Sequence, residues 1–118
     1  MKPGTIIQKL KPKTSDEFSA AEAYYNVLSS INKLNLTERE VQLIAFTAIR
    51  GNISTPNVRA EFCDRYSTTI PTISNIISKL KKTSIFIKEK GKVKVNPVIV
   101  LDFSKPIVLQ ITLENESR

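Results

Sequence analysis

The groups with which this chain could do chemistry are eleven acids, eighteen lysines and arginines, one cysteine and no histidine. Without histidine, and with Cys63 alone, neither a zinc site of the usual His/Cys types nor a Ser-His-Asp or Cys-His nucleophile can be assembled. Gly4, Gly51 and Gly91 are the only glycines, too few and too scattered for a phosphate-cradling loop. Carboxylates remain, as the near pairs Asp16/Glu17, Glu38/Glu40, Glu61/Asp64 and Glu114/Glu116. All but Glu61/Asp64 fit helix-start charges or polar termini, and that pair, beside Arg65, reads as a solvated helix face. The expectation is a non-enzyme with no catalytic residue, no metal ligand and no cofactor.

The cations are distributed unevenly. From Ser67 to Val95 there are seven lysines against the single acid Glu89, a local excess of six within a net charge of +7. In the same stretch Ile70, Ile73, Ile76, Ile77 and Leu80 follow the i, i+3, i+4, i+7 spacing of a helix with one buried face. After Thr83 the period changes to an apolar run at 85–87, a polar turn at 88–92 and the alternation Val93-Lys94-Val95, which predicts a β-hairpin. On the helix, Thr72, Asn75, Lys79 and Lys82 fall outward, with Thr69, Pro71 and Ser78 near the edges. Small hydrogen-bonding groups early and cations late suit a helix lying in a major groove. On that reading Thr69, Thr72 and Asn75 contact bases, while Lys79, Lys81, Lys82, Lys88, Lys90, Lys92 and Lys94 contact phosphates. The plain alternative is that the same residues are an ordinary solvated face. No arginine occurs between Ser67 and Val95, and bidentate Arg to guanine is the commonest specific contact, so modest sequence preference is expected.

The wording TISNIISKLKK (72–82), followed by an apolar triplet and a charged hairpin, resembles the winged helix-turn-helix family. LTEREVQLIAF (36–46) resembles the opening helix of many helix-turn-helix domains, and KVKVNPVIVL (92–101) the wing-to-tail junction of some plasmid and phage replication initiators. The resemblance implies a mainly α fold with a small antiparallel β part: a winged helix-turn-helix carrying an extra N-terminal helix and a C-terminal β extension. It also implies a non-enzymatic protein that binds duplex DNA in phage- or plasmid-related replication or transcription control.

The other elements must hold that unit in place. Ser15 is a candidate N-cap for a first helix to about Leu34, with Phe18, Ala21, Tyr25, Leu28 and Ile31 near helical spacing. Tyr24 and Tyr25 widen its apolar side for the core, with a dimer contact as the other use. Thr37-Glu38-Arg39-Glu40 spells a capping box for a largely buried helix over 38–50, ended by Gly51. Ile53 suits a short extended bridge, and Thr55-Pro56 opens a helix that buries Val58, Phe62 and Tyr66, with Cys63 as packing. Arg59 and Arg65 flank it, neutralised by Glu61 and Asp64. Beyond Asn96-Pro97, strands are expected over 98–103 and 107–113.

At 118 residues and 13.3 kDa, with 41% hydrophobic residues, the chain fits one globular domain rather than two or a disordered coil. The expected division is a basic flexible arm at 1–13, the winged-helix domain at 14–103, and a C-terminal strand and tail at 104–118. The arm carries Lys2, Lys9, Lys11 and Lys13 and no acid, so it suits a mobile tail or phosphate tracking, while Ile6, Ile7 and Leu10 suit packing on another chain. It lacks the apolar core of a secretory signal and no run reaches membrane-spanning length, so an intracellular, cytoplasmic protein without membrane contact is expected. The late strands carry open edges. They keep a second function in view: a structural or adaptor subunit, such as a virion ring or connector, forming homo-oligomers through the N-terminal arm and C-terminal strands.

Overall fold

Thr37 and Glu40 set the first fixed point of the fold. In the computed structural model, which describes residues 4–10 and 16–113, the Thr37 amide donates to Glu40 Oε1 at 2.8 Å and the Glu40 amide to Thr37 Oγ1 at 3.2 Å, closing the capping box. The helix it opens, α2 (Glu38–Arg50), is central, with Leu43, Ala45, Phe46 and Thr47 fully buried. Gly51 ends it at φ +86°, where a side chain would be strained.

Three other helices pack around α2: α1 (Glu17–Asn32), α3 (Pro56–Tyr66) and α4 (Ile70–Lys82). The Phe46 ring stacks on Phe18 at 5.5 Å and meets Phe62 edge-on at 5.3 Å, so one aromatic column joins α1, α2 and α3. From α4, Ile73, Ile77 and Leu80 enter the same core. Ile70, expected inward, stands at the helix start and is largely exposed, beside Pro56 and Ala60.

Two antiparallel ribbons complete a mainly α architecture. The hairpin β2 (Phe86–Glu89) and β3 (Lys92–Val95) pairs Phe86 with Val95 and Glu89 with Lys92. Its inner face, Phe86, Val93 and Val95, is buried on the helices. The loop after α2 is bonded to β3, since the Ile53 amide donates to the Val93 carbonyl at 2.8 Å and Asn52 Oδ1 accepts the Val93 amide at 3.1 Å. The second ribbon joins β1 (Gly4–Leu10) to β4 (Ile107–Leu113), from Leu10↔Ile107 to Gly4↔Leu113.

Three expectations need correction. Residues 4–10 of the supposed flexible arm form β1, because β4 supplies a full seven-residue ladder. Lys2, Lys11, Lys13, the candidate cap Ser15 and residues 114–118 lie outside the described residues; α1 is capped by Asp16, whose Oδ1 accepts the Phe18 amide at 2.9 Å. The strand expected over 98–103 does not form. Asn96 Oδ1 accepts the Val98 amide at 3.2 Å, and Pro97, with φ fixed and no N–H, opens a single 3₁₀ turn, Pro97–Ile99. Of that run only Phe103 is buried, against the Tyr24 and Tyr25 rings at 5.8 and 5.7 Å. Tyr25, itself buried, donates its hydroxyl to the Ile99 carbonyl at 2.7 Å.

Candidate nucleic-acid interface

α3 and α4 are joined by a tight link. Ser67 turns into the left-handed region at φ 52°, the Thr68 amide donates to the Cys63 carbonyl at 3.1 Å, and Thr69 caps α4. Arginines hold the two helices from either side: Arg39 Nη1 donates to the Tyr66 carbonyl at 2.6 Å, while Arg59 donates from Nε to the Ile53 carbonyl at 2.8 Å and from Nη1 to Ser74 Oγ at 3.4 Å. Arg59 is thus engaged with the α2–α3 loop and α4. Arg65 reaches Asp16 at 3.2 Å and lies over the Phe18 ring at 4.2 Å, and Glu61 pairs with Arg50. The expected neutralisation of Arg59 and Arg65 by Glu61 and Asp64 is replaced by ties between helices.

With Ile73, Ile77 and Leu80 buried, the opposite side of α4 presents Asn75, Ser78 and Lys82, with Thr72 and Lys79 along one flank. The three candidate base readers differ in what they have free. The Thr69 and Thr72 hydroxyls lie 2.9 Å apart in a hydrogen bond, and Thr69 Oγ1 also accepts the Thr72 amide at 3.4 Å. Asn75 is exposed and makes no hydrogen bond through its side chain among the described residues. Ser78, placed near the edge by spacing alone, lies centrally on the exposed face.

The seven candidate phosphate contacts also divide. Lys79 Nζ donates to Glu40 Oε2 at 2.6 Å, and Lys94 Nζ to Glu89 Oε1 at 3.1 Å. Lys81, Lys82, Lys88, Lys90 and Lys92 are exposed and form no ion pair among the described residues. Burial pushes the Glu40 carboxyl up, but the Lys79 ammonium and the Thr37 amide and hydroxyl outweigh it and hold it below the usual carboxylate range. Lysines 79, 81 and 82 occupy the last turn of α4, where they also offset the negative end of the helix dipole.

Positive charge therefore extends from the end of α4 to the hairpin tip, where Lys90 and Gly91 turn the chain at φ 53° and 78°. Chemically the arrangement can hold a polyanion and offer one free amide to it. Among the described residues no three His, Cys, Asp or Glu side chains converge as metal ligands, and no helix is long and apolar enough to cross a membrane.

The sequence singled out Glu40 as a cap but not as the counter-ion of Lys79, a contact made across the α2–α4 packing. No family model, curated protein or solved structure matches this chain.

Proposed function

We propose that α3, α4 and the β2–β3 hairpin form a winged helix-turn-helix that binds duplex DNA, with α4 in the major groove and the hairpin against the backbone. The observation that carries this reading is the run of five lysines, 81, 82, 88, 90 and 92, that form no ion pair among the described residues, beside an exposed helix face on which the Asn75 side chain makes no hydrogen bond among them. Condensed counterions released from the phosphates supply most of the affinity on such a surface. Asn75 supplies the preference, a bidentate amide suiting adenine. Lys79 and Lys94 contribute less, because each must first leave a carboxylate. The resemblance of residues 92–101 to plasmid and phage initiators makes phage- or plasmid-related replication or transcription control the proposed setting.

Binding of the purified chain to a random duplex pool at two salt concentrations tests this. The expected result is modest sequence enrichment and steep loss of binding with salt. No enrichment together with salt-insensitive or absent binding refutes it. A second reading, a structural subunit of a larger assembly such as a virion ring, is favoured by the β1–β4 ribbon, a two-stranded sheet whose outer edges pair with no further strand among the described residues.

A further inference from the structure

Between the end of α2 and the root of the hairpin lies a pocket of about 170 Å³. Ala48 and Gly51 line it from α2 and its cap, Lys94 and Val95 from β3, and Pro97 and Val100 from the 3₁₀ turn and the residue that follows it. Ala48 and Gly51 are three residues apart, so they fall on one side of the helix end, and their small size leaves the room. A Cβ placed on Gly51 would meet nothing within 4 Å. The exposed Val100 lies toward solvent, and the wholly buried Thr47 lines the pocket away from it.

Thr47 sets the chemistry of the pocket. Its hydroxyl is buried and makes no hydrogen bond among the described residues, the one side-chain polar atom among them of which this is true. A helical threonine can satisfy itself by donating to the carbonyl four residues back, here that of Leu43, and Thr47 does not. A hydroxyl left in that state forfeits the bond that water supplies in the unfolded chain.

We propose that this pocket binds a small neutral molecule, with an apolar body the size of a benzene ring and one hydroxyl that bonds to Thr47. Volume gives the size, since an apolar cavity of roughly 150 Å³ takes a benzene-sized molecule. The lining gives the apolar body. Apart from Thr47 and Lys94 it is alanine, glycine, valine and proline, so a water, which needs about two to four polar partners, is poorly held there. The charge state follows from Lys94, the one charged residue of the lining, whose Nζ already donates to Glu89 Oε1 at 3.1 Å. An anion would lose its hydration beside an ammonium that is already matched.

The site exists only in the folded chain. Its lining comes from 47–51, 94–95 and 97–100, segments that meet through the packing of β3 on α2. A ligand there therefore binds the native state alone and stabilises it.

The test compares phenol with toluene, which has the same shape and no hydroxyl, by amide NMR titration of the full chain. Phenol should shift the amides of Ala48, Gly51, Val95 and Val100 saturably, and at ten times its dissociation constant raise the melting temperature by about 5 °C. Toluene should bind about three- to tenfold more weakly, the worth of one hydrogen bond. Thr47→Val keeps the shape and deletes the hydroxyl, so it should fold, as circular dichroism checks, and bind toluene at least as well as phenol. Ala48→Leu fills the pocket from a half-buried position and should abolish saturable binding of both. Shifts that do not saturate, shifts centred on the Leu28 and Ile99 groove instead, or a preference for phenol that is absent at first or survives Thr47→Val overturns the proposal.

Discussion

Replacing Glu40 with glutamine separates two roles that one side chain combines. Glutamine keeps a carbonyl oxygen for the Thr37 amide, now 2.8 Å from Oε1, so the capping box survives. What goes is the charge that holds Lys79 Nζ at 2.6 Å. A charge-assisted bond to a buried carboxylate is worth about 1.5–3 kcal/mol. The Lys79 side chain is 57% exposed and solvent-screened, which brings the loss to about 1 kcal/mol and the melting temperature down by roughly 4 °C. Binding should move the opposite way. The five free lysines imply a log-log salt slope of about −4.5, and releasing Lys79 steepens it to about −5.4. The assays are thermal melting by circular dichroism and fluorescence anisotropy on a labelled duplex across a salt series. The pH sign is also fixed: Glu40 is held below its ordinary value in the fold, so the pair's stabilisation is fully present above the unfolded carboxylate pKa and is lost as pH falls through the folded one. The gap between the original and Glu40→Gln chains should therefore narrow on acidification below about pH 4. Unchanged melting with an unchanged slope would refute the reasoning, as would a shallower slope.

Asn75→Ala should flatten sequence enrichment while leaving the salt slope and the melting temperature unchanged, since the Asn75 side chain makes no hydrogen bond among the described residues; a parallel loss for all sequences would move it among the phosphate contacts. Tyr25→Phe removes the 2.7 Å bond to the Ile99 carbonyl and should lower stability by about 1–2 kcal/mol at unchanged denaturant m-value, checked by urea unfolding.

What could be read from the sequence was what is local along the chain. The capping box spans three residues, and the isoleucines of α4 and the alternation of β3 are repeats of 3.6 and 2, so these elements are as expected apart from the outward Ile70. Contacts set by packing were not legible. Arg65 was assigned to an acid near it on its own helix, yet it reaches Asp16 at the start of α1, because the Phe18 ring lies under its guanidinium. Apolar content misled at 98–103, where Asn96 and Pro97 impose a turn and leave Val98, Val100 and Leu101 outside. The candidate interface was legible as a set of residue types. Which lysines are free depends on Glu40 and Glu89, and neither pairing has a periodic signature.

The bonds from the Asn52–Ile53 loop to Val93 also bear on the order in which the molecule assembles. The hairpin has only four residues in each strand, too few to persist alone, and its third line of hydrogen bonds comes from about forty residues upstream. That line exists only once α2 has ended and the chain has turned toward α3. The hairpin is therefore expected to complete its pairing after the helical body has formed, an order that hydrogen exchange at the Val93 and Val95 amides would check. Because Phe86, Val93 and Val95 lie in the same core as Phe46 and Phe62, the hairpin's register is held both by that burial and by the Asn52–Ile53 bonds.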